Sequence, residues 1–186
     1  ILPDDAMEIY EPEVIKWLFA GTRPNREFSI SFDLDVIKIY EEFDKCESIY
    51  YNEIQLEDKR EIEKQKTAYK LSVITPDKKR PERIAFRHLV SLVQMYECNI
   101  KKIEELYPKN KYIIQRAKCA INWIKDYAPE DIKFTVHKNV NPEILKKLST
   151  LEKQAIQEFC NYFEKNIKKV KEEELFNQFY EICSKY

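Results

Sequence analysis

Arg80, Arg83, Arg87, Ser91 and Gln94 stand three or four residues apart, so they share one helix face or the turn that leads into it. Lys78 and Lys79 extend the row on its N-terminal side. Guanidinium forks match phosphate oxygens in pairs, and a Gln amide presents a donor and an acceptor to the edge of a base. The chemistry such a row supports is recognition of a polyanion rather than the making of bonds. The alternative is structural: a solvated face, or one closed by salt bridges between subdomains. His88 borders the apolar positions, where a packed or capping ring competes with a stacking or pH-sensitive role. Aromatic residues make up 13% of the chain, twelve of them tyrosines. Most belong to a core, and a few are available to stack on unpaired bases.

Other chemistry finds little support. Asp33-Leu34-Asp35 resembles an acidic metal motif, but at a helix start it reads as an N-cap followed by a first-turn acid. Glu172-Glu173-Glu174 reads as another helix start. Cysteines at 46, 98, 119, 160 and 183 form no CxxC pair, and His88 and His137 are the only histidines. That set argues against a zinc site and for reduced, mostly buried thiols in a cytoplasmic protein. It also offers no Cys-His or Ser-His-Asp nucleophile. A single glycine, Gly21, disfavours a glycine-rich phosphate loop, a barrel, a sandwich or a dinucleotide fold. No catalytic, cofactor-binding or metal-binding residue is assigned.

The elements that must carry the basic row are helical. The chain has 186 residues and a net charge of −1, distributed unevenly. Residues 1–63 hold 7 Lys/Arg against 17 Asp/Glu, residues 64–102 hold 10 against 3, and residues 103–186 hold 15 against 13. The expected fold is mainly α, a multi-helix bundle in two subdomains, 1–75 and 76–186, parted by the two-proline stretch Thr75–Pro81. At most a small two-stranded β element is expected, near 28–32 and 69–73, where apolar and polar residues alternate. Helices are expected from Glu11-Pro12-Glu13 to a left-handed cap at Gly21, from Asp33 to a frayed end near Glu47, and over 57–70. Others follow at about 82–97, 99–107, 110–127, 142–170 with a break near Ser149, and 172–185. No apolar run is long enough to span a membrane, and the acidic N-terminus lacks a secretion signal.

Tyr10-Glu11-Pro12-Glu13-Val14, then Leu18-Phe19-Ala20-Gly21-Thr22-Arg23-Pro24-Asn25-Arg26, resembles the segment after the catalytic signature loop of class I lysyl-tRNA synthetases. The likeness continues through Phe28–Asp35 and Tyr40-Glu41-Glu42-Phe43-Asp44. Phe86-Arg87-His88-Leu89 with Gln94 resembles the first helix of that family's helical anticodon-binding domain. The resemblance implies a lysine–tRNA ligase that forms lysyl-adenylate with ATP and transfers lysine to tRNA. The family's HIGH-type and KMSKS-type motifs do not occur in this sequence. The expected protein is therefore a piece of that enzyme, beginning beyond the second motif, without ligase activity or a cofactor of its own.

It also implies a stem-contact region over 1–75 and a truncated anticodon-binding region over 76–186. Expected partners are a lysine-specific tRNA, through its anticodon arm, and the catalytic domain of the same parent chain; no membrane is expected. On this reading Arg23 and Arg26 touch backbone near the inner stem. Lys79, Arg80, Arg83 and Arg87 position the anticodon arm, and His88 and Gln94 contact bases. The competing readings are a helical protein-interaction module without RNA binding and, third, a stand-alone enzyme.

Overall fold

The computed structural model describes residues 3–22 and 30–186. Ten helices form among the described residues, with no strand. The mainly helical expectation holds. The chain packs as two compact units, Ile1–Val136 and His137–Tyr186. The division by role expected at 75/76 rests on a different criterion and falls within the first unit.

In the first unit α1 (Pro3–Ile9) and α2 (Pro12–Gly21) precede α3 (Asp35–Tyr50) and α4 (Lys59–Ser72). After the linker come α5 (Phe86–Met95), α6 (Ile100–Leu106) and α7 (Lys111–Asp126). Helix α4 packs on α2 and α3, while α7 packs on α1, α5 and α6. Apolar residues at helical spacing drive this: Val36, Tyr40 and Phe43 on α3, Phe86, Leu89 and Val93 on α5, and Ile113, Ala117, Ala120 and Trp123 on α7 are all buried. A run of aromatic rings ties them together. Tyr40 stacks on Phe86 at 4.0 Å and on Tyr10 at 5.8 Å, and Phe86 meets Trp123 at 5.9 Å. The polar atoms of these rings are satisfied, as burial demands. Tyr40 donates to the Ile9 carbonyl and accepts from the Glu11 N–H, and Trp123 Nε1 donates to the Phe32 carbonyl.

Three local expectations are corrected. Tyr69, Leu71 and Ser72 lie in α4, not in a strand, because Tyr69 turns inward at the end of a helical stripe against Phe43 and Tyr50. Residues 30–32 form no strand, and 28–29 lie outside the described residues. Gly21 ends α2 without a positive φ; the Thr22 hydroxyl closes the helix by donating to the Leu18 carbonyl at 2.7 Å. Asp33 is not the N-cap of α3, a position Leu34 takes; it stands just before the helix, its Oδ1 accepting from the Asp35 N–H and from the Ser31 hydroxyl.

In the second unit α8 (Pro142–Lys147) precedes α9 (Thr150–Asn166) and α10 (Glu172–Lys185), which pack on each other. Ser149 breaks the expected long helix by forming a capping box with Glu152. Ile182 is the one hydrophobic residue of this unit, among those described, that is buried. No helix among the described residues is long and apolar enough to cross a membrane.

Candidate nucleic-acid interface

The row of basic residues around α5 splits in two. The helix begins at Phe86, four residues later than the spacing predicts. The reason is local. Asn110 Nδ2 donates to the Glu82 carbonyl at 3.1 Å and Arg116 Nη1 to the Ile84 carbonyl at 3.1 Å. Side chains from α7 thus take the carbonyls that a longer helix would have used for its first turn. Arg80 and Arg83 therefore sit in an extended lead-in turn, and only Arg87 and His88 lie on the helix surface.

The lead-in arginines point inward, into a cluster of carboxylates. Arg83 Nη1 lies 2.5 Å from Glu11 Oε1 and its Nε 3.2 Å from Glu47 Oε1, with its side chain 3% exposed. The same guanidinium lies 4.6 Å from the Tyr112 ring centre and 5.6 Å from that of Phe43. Arg116 from α7 completes the cluster. It reaches Glu11 Oε2 at 2.7 Å and Asp44 at 2.8 and 2.9 Å, a two-pronged grip on the Asp44 carboxylate. Tyr69 donates to Glu47 Oε1 at 2.8 Å. Burial works against the charge on Arg83 and Arg116. The facing carboxylates outweigh it and hold both guanidinium pKa values above the ordinary range. Arg80 stands at the rim, 2.7 Å from Glu53 and 3.3 Å from Glu47.

The sequence-predicted residues fare differently. Arg23 and Arg26 lie outside the described residues. Lys79 and His88 are exposed. Arg87 projects from α5 with its side chain 70% exposed, paired directly with Glu41 at 3.0 Å on the surface. Arg80 is largely committed to Glu47 and Glu53, and Arg83 wholly to Glu11 and Glu47, so the structural alternative for the arginine row holds for these two. Gln94 is buried. Its Nε2 donates to the carbonyls of Val90 and Ile132, and its Oε1 accepts from the Phe134 N–H at 2.8 Å. As placed, Arg83 and Gln94 turn their side chains into the fold and hold their partners there. Burying an arginine or a Gln amide is tolerable only with such partners.

Sequence reasoning missed Glu11, Asp44 and Arg116 as the inward partners. Two signals were present. Glu47 continues the buried stripe Val36, Tyr40 and Phe43 at i+4 spacing, and Arg116 falls inside the stripe of Ile113, Ala117 and Ala120. A charged residue within an apolar stripe calls for a buried partner of opposite sign. Glu11, read as an acid favouring the positive end of α2, makes no side-chain cap there and is 1% exposed.

Comparison with known proteins gives the cluster a context. The family described as tRNA synthetases class I (K) matches residues 1–75, which include Glu11, Asp44 and Glu47. The chain is similar to the lysine–tRNA ligase of Borreliella burgdorferi, at 46% identity over 96% of this chain and 35% of that protein. It is similar to those of Treponema pallidum, at 37% over 71% of this chain and 26% of that protein, and Pyrococcus horikoshii, at 32% over 100% and 36%. The chain thus spans about a third of the length of the curated relatives it matches most extensively. On the matched family and this run of relatives, the chain matches a portion of the class I lysyl-tRNA synthetases.

Proposed function

We propose that this chain is the tRNA-binding part of a class I lysine–tRNA ligase and engages the anticodon arm of a lysine tRNA. On this reading residues 1–75 contact the stem side and residues 76–186 the anticodon side. ATP-dependent activation of lysine and its transfer to tRNA belong to the rest of the parent protein, whose catalytic domain is the chain's second partner. The observation that carries the reading is Arg87. Among the four arginines around α5 and α7, it alone turns a mostly exposed guanidinium to solvent, in a chain whose relatives are lysine–tRNA ligases.

Arg87 and Lys79 supply phosphate contacts, and His88 supplies a base or sugar contact. Arg80 contributes from the rim. Arg83 acts by holding the lead-in turn. Arg23 and Arg26 keep their proposed role near the inner stem.

The test is a fluorescence-anisotropy titration of a lysine-tRNA anticodon stem-loop against a loop-sequence control across a salt series. Tighter, salt-dependent binding to the U-rich loop is expected. Absence of binding to either RNA would sink the reading. A second reading, a helical protein-interaction module, draws on the second unit, where Ile156, Phe176, Phe179 and Tyr180 are exposed. It predicts salt-insensitive affinity for a peptide helix instead.

A further inference from the structure

Gln94 has two faces of interest. Along α5 it lies seven residues after Arg87, within about 20° of two full turns, so the two occupy nearly the same line on the helix some 10 Å apart. Its amide grips the segment 132–134 at both polar ends, accepting from the Phe134 N–H at 2.8 Å and donating to the Ile132 carbonyl at 3.3 Å. Ile132 packs against the core, whereas Phe134 is 45% exposed. The chain therefore fixes the backbone of Phe134 with a buried amide and leaves the residue half exposed. Gln94 becomes fully hydrogen-bonded only through this segment and the Val90 carbonyl. On the same segment Lys133 makes a solvent-exposed pair with Glu130.

We infer that Phe134 is a stacking platform for an unpaired RNA base, placed by Gln94 at one end of the helix face whose other end carries Arg87. An exposed aromatic residue on a fixed backbone suits single-stranded RNA: the ring takes a base face, and the Arg87 guanidinium, farther along α5, takes a phosphate. This inference rests on the proposed anticodon-arm reading and sharpens it, because Gln94 then acts as a positioning residue and Phe134 touches the base. Stacking accepts any base, so Phe134 contributes affinity and loop geometry rather than sequence choice.

The test uses the full 186-residue chain and two labelled stem-loops, one with a U-rich loop and one whose loop is abasic with the same phosphates. Phe134→Ala should weaken binding to the U-rich loop about tenfold, by the usual worth of a base–aromatic stack. The salt slope should stay unchanged, since no phosphate contact is lost. Binding to the abasic loop should not move, and Phe134→Trp should bind the U-rich loop as well as wild type. Phe134→Leu, which keeps apolar bulk at the site, should lose affinity like Phe134→Ala and stands in for it should the smaller residue unfold the chain. Equal affinity of wild type and Phe134→Ala on the U-rich loop overturns the platform and leaves the RNA reading standing. An equal loss on both loops overturns it too, by making the effect structural. Wild-type protein that binds neither RNA overturns the reading and the platform together.

Discussion

Arg83 and Arg87 are four residues apart and meet opposite fates. Arg83 lies 3% exposed between Glu11 and Glu47, and Arg87 lies 70% exposed in a direct surface pair with Glu41. The interior cluster pairs its charges out of water, and the face of α5 pairs Arg87 with Glu41 in the open. The difference teaches that a row of arginines in sequence reports where charge is, not whom it serves. Burial decides that, because a desolvated guanidinium must be paired within the fold whereas an exposed one gains little from a surface carboxylate.

The largest effect should come from the deepest residue. Arg116 is 0% exposed and joins Glu11 on the α1–α2 turn, Asp44 on α3 and the Ile84 carbonyl before α5. Arg116→Ala strips Asp44 of its guanidinium and leaves Glu11 with Arg83 alone, and should cost about 3–5 kcal/mol in urea unfolding, as breaking a buried pair does. Arg83→Ala should fall near the lower end of the same range, because Glu11 keeps Arg116 and Glu47 keeps Tyr69 and Arg80. A cost under about 1 kcal/mol for Arg116→Ala would place it with surface pairs and erase the contrast with Arg87.

Much of the architecture was legible because the apolar residues carry a helical period and prolines separate the elements. The helices at 142–147 and 150–166 part at Ser149, and Asn110 and Asn99 cap their helices with side-chain oxygens as their types suggest. The start of α5 was not legible. Local propensity favours a helix from residue 82, but Asn110 and Arg116, far along the chain, take the carbonyls of Glu82 and Ile84. The same long-range pairing hid the inward turn of Arg80 and Arg83, since Glu11 stands 72 residues from Arg83. The strand reading at 69–73 failed for a related reason: three alternating positions fit both a strand and the end of a helical stripe, and packing against Phe43 settles it.

A probe beside the interior cluster sharpens the comparison through pH. Cys119 is buried on α7, and its thiol is pushed up to about 12 by burial, with the Glu11 carboxylate adding to the effect. Unfolded, a cysteine ionises near its ordinary value of 9.0. Between those values the unfolded chain has released a proton that the folded chain still holds, so stability falls as pH rises through this window. The contribution is about 1.4 kcal/mol per pH unit for one group. Cys119→Ala should flatten the alkaline fall in urea stability by up to that slope above pH 9, with no change near pH 7. An unchanged slope would mean that the interior beside Glu11 is wetter than its geometry indicates. The expectation of mostly buried thiols holds only for Cys46 and Cys119; Cys160 and Cys183 are exposed and should react first with a thiol reagent at pH 8.

The smallest effect on stability should belong to Arg87. Its pair with Glu41 is solvated on both sides, so Arg87→Ala should change stability by less than about 0.5 kcal/mol. Arg80, at 29% exposure between Glu47 and Glu53, should fall between Arg83 and Arg87, near about 1 kcal/mol. Affinity for an anticodon stem-loop should run in the opposite order. Arg87→Ala should weaken binding and lower the salt slope by about one, the signature of a lost phosphate contact. Conservative replacement of Arg83 by Lys, in a form that stays folded, should leave that slope alone. The two gradients cross only if exposure separates charges that hold the fold from charges that hold a partner. A salt slope unmoved by Arg87→Ala but lowered by Arg83→Lys would reverse the assignment and move the RNA contact into the lead-in turn.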